Sequence, residues 1–322
     1  MARRTTVLVA ALALALAACA SGTGSDAGSG TGATGATASG ATSSTGGTYP
    51  VSVTGTNGDV TIASQPERIV SLSPSATEML FAIGAGDEVI AVDDQSNYPA
   101  DAPMTDLSGY EPNVEAIASY EPDLVVYATE PGDLGSSLGE LKIPALQLDA
   151  PATLADVYAQ VRTLGAATGH PDEADALAER MRSDIDDAVA AADPASGQTF
   201  YYELDDTYYS VTSNTFIGQL FSMLGLVNIA DDAKRASSGY PQLSSEYIVD
   251  ADPDLIFLAD TKCCGQDAST VAARPGWGDL AAVRDGNVVE LDDDIASRWG
   301  PRLADLVQTI AEAAARADGA AA

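Results

Sequence analysis

Residues 113–128 read NVEAIASYEPDLVVYA and residues 244–259 read SSEYIVDADPDLIFLA, so one pattern occurs twice in the chain. Each copy has apolar residues at helical spacing, then Pro-Asp, then a run rich in β-branched residues, which predicts a short helix followed by a buried strand. Each also places one glutamate, Glu115 or Glu246, at the start of its helix. Two similar α/β halves predict a ligand cleft between them, and the paired glutamates predict a two-point docking surface. The alternative is that Pro-Asp-Leu is simply a common sequence between the end of a helix and the start of a strand.

Predicted strands and helices alternate along the rest of the chain, which indicates the α/β class. Thr153-Leu-Ala-Asp156 resembles a capping box and predicts the start of a helix that continues to about Ala167. A second helix is predicted from Pro171 to about Ala192, with apolar residues at helical spacing. At 1.5 Å per residue it is roughly 30 Å long, enough to act as a rigid strut between two lobes.

The N-terminus has the features of an export signal. Two arginines precede an apolar stretch over residues 7–17, which is too short to span a bilayer. The stretch ends in Leu-Ala-Ala-Cys19, which resembles the lipobox of bacterial lipoproteins, and Cys19 is therefore predicted to be lipidated. Several acyl chains on one residue anchor stably, so we expect an extracytoplasmic protein held at the outer face of the cell membrane. A plain secretory signal is the alternative.

A low-complexity segment follows the predicted lipidation site. Residues 20–48 contain almost only Gly, Ser, Thr and Ala, a composition that cannot bury a core and predicts a disordered tether. The chain is thus expected to have five parts. These are a lipoprotein signal peptide at 1–19, the tether at 20–48, an N-terminal α/β lobe at 49–168, a connecting helix at 169–194 and a C-terminal α/β lobe at 195–322.

Composition and motif spacing exclude several classes of function. The formal net charge of −32 repels nucleic acid and anionic membrane surfaces. A single histidine, His170, rules out a histidine-ligated metal site, while coordination by carboxylates alone stays open among 47 acidic residues. Gly135-Ser-Ser-Leu-Gly139 formally matches a nucleophile elbow, but no strand directly precedes its serine. We therefore predict no enzymatic activity, no cofactor and no resident metal.

Cys263 and Cys264 are adjacent and directly follow the strand predicted at residues 255–259. Thiols outside the cytoplasm normally oxidise, although neighbouring Cα atoms about 3.8 Å apart would strain a disulfide. The carboxyl ends of strands in open α/β sheets face the ligand crevice. We therefore predict a vicinal disulfide that shapes a loop at the cleft rim. Free thiols and an intermolecular bridge are the alternatives.

Residues 70–86, VSLSPSATEMLFAIGAG, followed by Tyr98-Pro99, resemble the opening of the vitamin B12 and ferric-siderophore binding proteins of ABC importers. The resemblance covers roughly residues 50–316 and includes both Pro-Asp-Leu units and the tail DIASRWGPR. It implies two Rossmann-like lobes joined by a single long rigid helix, with the ligand cleft between the lobes. It also implies that Glu115 and Glu246 meet arginines on the two permease subunits. Solvated glutamates favoured by the helix dipole are the alternative.

The same resemblance implies which residues contact the ligand. They are Pro74, Gln95, Tyr98, Tyr110, Tyr209, Tyr240, Asp294 and Arg298. Aromatic rings provide flat apolar walls for a corrin or a catecholate, and Asp294 and Arg298 can orient amides or anionic oxygens. For any one tyrosine, a half-buried aromatic at a strand end is the alternative.

These observations together predict a monomeric, lipid-anchored solute-binding protein of an ABC importer. It would capture a metal chelate, either a ferric siderophore or a cobalamin-type corrinoid, and deliver it to a permease dimer. The alternative is a surface lipoprotein that scavenges haem, or that acts as a sensor or interaction module without a role in transport.

Overall fold

The computed structural model describes residues 48–192, 197–234 and 236–321. The predicted signal peptide, the lipidation site Cys19 and the predicted tether up to residue 47 lie outside the described residues. Within the described ranges, no helix combines the length and the apolar character needed to cross a membrane.

The N-terminal lobe contains a β-hairpin and a four-stranded parallel sheet. The hairpin consists of β1 (Val51–Gly55) and β2 (Gly58–Ile62). The sheet strands are β3 (Ile69–Leu72), β4 (Val89–Val92), β5 (Leu124–Tyr127) and β6 (Ala145–Gln147), in the order β4-β3-β5-β6. The helices of this lobe are α1 (Pro74–Ala82), α2 (Val114–Ala118) and α3 (Leu134–Glu140).

Two longer helices lead from this sheet to the next. Helix α4 (Leu154–Thr168) begins with the predicted capping box, in which Thr153 and Asp156 exchange side-chain and backbone hydrogen bonds. Helix α5 (Pro171–Ala191) follows, one residue shorter than the sequence predicts. The prediction that it alone joins the lobes as a rigid strut stays a prediction.

The C-terminal lobe also carries a four-stranded parallel sheet. Its strands are β7 (Thr199–Glu203), β8 (Val227–Asn228), β9 (Leu255–Leu258) and β10 (Val288–Glu290), in the order β8-β7-β9-β10. Its helices are α6 (Phe216–Met223), α7 (Ser245–Ala251), α8 (Thr261–Cys264), α9 (Ala268–Ala272), α10 (Ala281–Arg284), α11 (Asp293–Ala296) and α12 (Leu303–Ala321).

The two sheets have the same topology. Counted along the chain within each lobe, the spatial order of the strands is second, first, third, fourth in both sheets. The two copies of the sequence repeat form α2–β5 and α7–β9, which are the equivalent third strand of each lobe and the helix before it. The repeat in the sequence is therefore a structural repeat, and the predicted α/β class with two lobes is confirmed.

One apolar core runs through both lobes. A continuous cluster of buried side chains includes Val126 of the first sheet, Ile185 of α5, Phe257 of the second sheet and Val307 of α12. Within it, the ring of Phe200 on β7 stacks on a neighbouring α6 phenylalanine, with the ring centroids 4.3 Å apart. Helices α5 and α12 are therefore packed into the apolar core that the two lobes share.

The structure does not support the predicted disulfide. Cys263 and Cys264 are free, exposed thiols in the last two positions of α8. The backbone N–H groups of Thr261, Lys262 and Cys263 donate to the Asp293 carboxylate over 2.9, 2.8 and 3.0 Å. These bonds hold the segment as a helical turn, in which adjacent cysteines have Cα atoms about 3.8 Å apart, too close for ordinary disulfide geometry.

Candidate ligand cleft

Two pockets lie where the N-terminal lobe meets a segment of the C-terminal lobe. The smaller one, of about 200 Å³, is lined by the residues that follow β3, β4 and β5 and by Asp294, Ser297, Arg298 and Trp299. The larger one, of about 490 Å³, lies between residues 150–152 and residues 214–217 and shares Ser297, Arg298 and Trp299 with the first. Both pockets therefore belong to one cleft, placed at the carboxyl edge of a parallel sheet as expected for ligand binding in this fold class.

Residues 294–302, here called the bridging segment, cross from the C-terminal lobe to the N-terminal lobe. Arg298 donates to Glu78 Oε1 at 3.0 Å, to the Gln95 carbonyl at 2.8 Å and to Asp294 Oδ1 at 2.8 Å. Trp299 donates through its backbone N–H to Ser75 Oγ at 3.2 Å and through Nε1 to an α4 glutamine at 2.9 Å. The bridging segment is thus hydrogen-bonded to α1, to the loop after β4 and to α4.

Glu78 is the buried counter-charge of the bridging segment. It lies on α1 and is 3% exposed. Besides Arg298, it accepts hydrogen bonds from Arg302, whose Nε lies 3.0 Å from Oε2. A Cβ on Gly300 would come within 2.9 Å of the same oxygen, so glycine is the residue that allows this close approach. A buried carboxylate is tolerated here because two guanidinium groups compensate its charge.

The Asp294 side chain links the bridging segment to both lobes. It accepts hydrogen bonds from Lys262 Nζ at 2.9 Å and from Asn97 Nδ2 at 3.1 Å, in addition to the one from Arg298. Burial opposes ionisation of this carboxyl, but these donors outweigh it and lower the pKa of Asp294 below its ordinary value. Asp294 is therefore ionised at neutral pH.

The structure brings six of the eight predicted ligand residues to the cleft. Pro74, Gln95, Tyr110, Asp294 and Arg298 line the smaller pocket. Tyr240 lines the larger pocket together with Arg298.

Tyr98 and Tyr209 line neither of the two pockets. The Tyr98 ring lies under the Arg302 guanidinium, 4.3 Å from its carbon, and is 46% exposed. Tyr209 is 40% exposed and its backbone bridges to Gln242. Their roles in ligand contact stay predictions.

Reasoning from the sequence missed several residues that line the cleft or support it from behind Arg298. They include Glu78, Asp93, Gly109 and Trp299. The sequence context could have indicated two of them. Asp93 directly follows a buried strand, and Glu78 lies among apolar residues in its helix. Neither position reveals its partners, since those lie elsewhere in the chain.

A second buried charge cluster lies at the carboxyl edge of the other sheet. Glu203, the last residue of β7, is fully buried and accepts from Arg274 Nη1 at 2.6 Å. Asp260, two residues beyond β9, is also fully buried, and both its carboxylate oxygens lack a hydrogen-bond partner in the described structure. Burial first, and then the charge of Glu203, raise the pKa of Asp260 to about 7. No pocket described above includes either carboxyl.

The two candidate docking glutamates occupy equivalent positions. Glu115 and Glu246 are exposed in the first turns of α2 and α7, which are capped by Asn113 and Ser244. A helix that precedes a parallel strand runs antiparallel to it, so both first turns lie at the carboxyl edge of their sheets. In the part of the chain that the structure describes, neither glutamate forms an ion pair. Their docking role stays a prediction.

The described side chains were also compared with the grouping that a metal ion needs. Within residues 48–192, 197–234 and 236–321, no three His, Cys, Asp or Glu side chains are grouped to hold a metal ion.

Comparison with known proteins identifies the family. The pattern of the periplasmic binding protein family matches residues 69–295. The chain belongs to this family. It is 32% identical over 275 residues to an uncharacterized ABC transporter substrate-binding lipoprotein, YvrC, of Bacillus subtilis, covering 82% of this chain and 85% of the relative. It is also 32% identical over 277 residues to a cobalamin-binding protein of Halobacterium salinarum, covering 83% and 74%.

A solved structure supports the fold. The periplasmic vitamin B12 binding protein BtuF of Vibrio cholerae superposes with a TM-score of 0.63 at 24% identity, covering 79% of this chain and 98% of that one. The chain is thus an extracytoplasmic substrate-binding protein of the ABC-importer type and not an enzyme, as the sequence predicts. Proteins of this type work with permease and ATPase components.

Proposed function

We propose that this protein captures a metal chelate in the cleft between its lobes and delivers it to an ABC permease dimer. A cobalamin-type corrinoid is the first candidate cargo and a ferric siderophore the second. The observation that carries the proposal is the interlobe cleft, which offers exposed aromatic rings, Tyr110 and Tyr240, in pockets on either side of the Arg298–Trp299 bridge. The similarity to a cobalamin-binding protein supports the choice of cargo.

Binding is tested by calorimetry and by quenching of intrinsic fluorescence, using the full-length protein in mild detergent. Both methods should report saturable binding of cyanocobalamin or of a ferric siderophore. Quenching should come from Trp299, which lies in the cleft, and not from Trp277, which is buried away from it. Saturable, tight binding of either supports the proposal. Failure to bind any corrinoid or ferric chelate contradicts it.

The delivery step is proposed to use Glu115 and Glu246. Two exposed carboxylates at equivalent places on the two lobes fit a permease that presents one positive site per subunit, and such rim charges steer association more than they add affinity. The monomeric state and the lipid anchor at Cys19 complete the proposal, because the anchor keeps the binding protein near the permease.

The docking proposal is tested with the double variant Glu115→Ala and Glu246→Ala in an uptake assay in cells. Uptake should fall at least tenfold, while ligand affinity stays unchanged because neither residue lines the cleft. Glu111→Ala with Asp250→Ala provides a matched control that removes two other exposed acids. Uptake that survives the first pair of substitutions as well as the second contradicts docking through Glu115 and Glu246.

A further inference from the structure

The charges of the cleft distinguish between chelates. Among the described residues, the charged side chains that line the two pockets are Asp93, Asp294 and Arg298. Arg298, the cation among them, donates to Glu78, to Asp294 and to a backbone carbonyl. Its charge is therefore compensated before any ligand arrives, by Asp294 and by Glu78, which Arg302 shares.

The nearest lysine does not change this balance. Lys262 Nζ lies 2.7 Å from Asp292 Oδ1 and 2.9 Å from Asp294 Oδ2. A polyanionic ligand would thus meet two lining carboxylates and no uncompensated positive group, and it would lose its own hydration as it entered.

Asp93 lacks one hydrogen-bond partner. It directly follows β4 and is 3% exposed. Its Oδ1 accepts the N–H of Gln95 at 2.8 Å, whereas its Oδ2 is shielded from bulk water and has no partner in the described structure. A buried carboxylate oxygen without a donor is costly, which makes the position suited to a donor supplied from outside the chain.

The neighbouring hydroxyls are already engaged. Thr77 donates to Ser71 at 2.9 Å, and Ser71 donates to the carbonyl of Ser73 at 3.3 Å. Ser96 lies 3.0 Å from Thr77, whose single proton is used, so Ser96 is the donor of that bond. Burial raises the pKa of the Asp93 carboxyl above its ordinary value, although hydrogen bonds from Gln95 and Ser96 oppose that rise.

The backbone of Gly109 packs closely beside Asp93 Oδ2. A Cβ at position 109 would lie 3.3 Å from Asp93 Oδ2 and 2.9 Å from the carbonyl oxygen of Leu72. Gly109 and Asp93 both line the smaller pocket. A side chain at position 109 would clash with the Leu72 carbonyl, so glycine is the residue that lets the backbone pass beside the Asp93 carboxylate.

We infer that the cleft selects chelates whose periphery is neutral and donates hydrogen bonds, as amide groups do, with Asp93 as the specificity-determining acceptor. This inference rests on the proposed function and specifies its cargo. An amide N–H reaching Oδ2 supplies the missing donor, whereas the carboxylates of haem and the oxygens of a ferric tris(catecholate) add negative charge to a site that already holds it. Selection thus combines one attractive contact with repulsion of the wrong ligand.

The test is a set of calorimetric titrations of the full-length protein in mild detergent with cyanocobalamin, haemin and a ferric tris(catecholate). Cyanocobalamin should bind at least 100-fold more tightly than either anionic chelate. Asp93→Asn should reduce that ratio by about 10-fold to 100-fold, the range for loss of a hydrogen bond to a charged group. Asp94→Asn, which removes the same charge from the exposed neighbouring residue, should leave the ratio unchanged.

Each outcome decides a different point. An anionic chelate that binds as tightly as cyanocobalamin overturns the inference and leaves the proposed function standing. An unchanged ratio in folded Asp93→Asn overturns the role of Asp93. If that variant does not fold, the ratio of the unsubstituted protein decides alone. Failure to bind any of the three chelates, or a ferric hydroxamate added as a fourth, overturns the proposed function and the inference with it.

Discussion

Removing the charge of Glu78 is the sharpest test of how the lobes are held together. Its side chain is 1% exposed, and those of Arg298 and Arg302 are 8% and 18% exposed. The substitution Glu78→Gln keeps the shape and one acceptor oxygen, but leaves two largely buried guanidinium groups without their carboxylate. The prediction is a loss of stability far larger than a surface ion pair can produce.

The expected magnitude follows from the burial of the partners. Breaking a buried ion pair on one side costs about 3–5 kcal/mol. We expect a cost at the lower end of this range. Arg298 keeps its hydrogen bonds to Asp294 and to the Gln95 carbonyl, and Arg302 keeps its place over the Tyr98 ring. A cost of about 3 kcal/mol corresponds to a decrease in melting temperature of roughly 6–12 °C for a chain of this size.

Urea unfolding of the two proteins, followed by circular dichroism, measures the difference in the free energy of unfolding. Glu179→Gln is a matched control, because Glu179 also pairs with two arginines, Arg162 and Arg182, but its side chain is 51% exposed. That control should cost less than about 1 kcal/mol. If Glu78→Gln costs no more than Glu179→Gln, the buried charge cluster does not stabilise the fold as reasoned.

Two further predictions concern the C-terminal lobe. Because burial and Glu203 raise the pKa of Asp260 in the fold to about 7, above the unfolded value of about 3.9, stability should fall as pH rises between these values. Between pH 5 and pH 8, the free energy of unfolding of the unsubstituted protein, measured in urea, should fall by on the order of 2 kcal/mol. Asp260→Asn should abolish this fall. An identical pH dependence in both proteins would argue against a raised pKa. Separately, alkylation of the native, unreduced protein should modify both Cys263 and Cys264 in mass spectra. Cys263 should react slowly, since burial and its hydrogen bond with Cys264 raise its pKa to about 12, and thiols that become reactive only after reduction would show that a disulfide had formed.

The sequence predicts those features that depend on residues close together in the chain. The repeat led to the third strand of each sheet, and helical spacing led to α5 within one residue at its end. The capping box at Thr153 was also found, because both its members lie within one turn. Local patterns of this kind record burial and capping directly.

The sequence did not predict the features that depend on distant pairs. Arg298 was expected to contact a ligand, but it also pairs with Glu78, which lies 220 residues away, and no local pattern shows which charges will meet. The two-residue strand β8 is too short for any periodicity. The helical turn at Cys263 and Cys264, which does not support the predicted disulfide, could not be foreseen because the Asp293 carboxylate that holds it lies 30 residues beyond Cys263.

The long-range pairing of Glu78 also determines when the N-terminal lobe is able to finish folding. Protein domains generally fold as units while the chain is being made, the N-terminal one first. Here the helix that carries Glu78 lacks its two arginine partners until Arg298 and Arg302 have emerged, which is after 220 and 224 further residues have been added. The charge compensation of the N-terminal lobe is therefore completed only when almost all of the chain has been made.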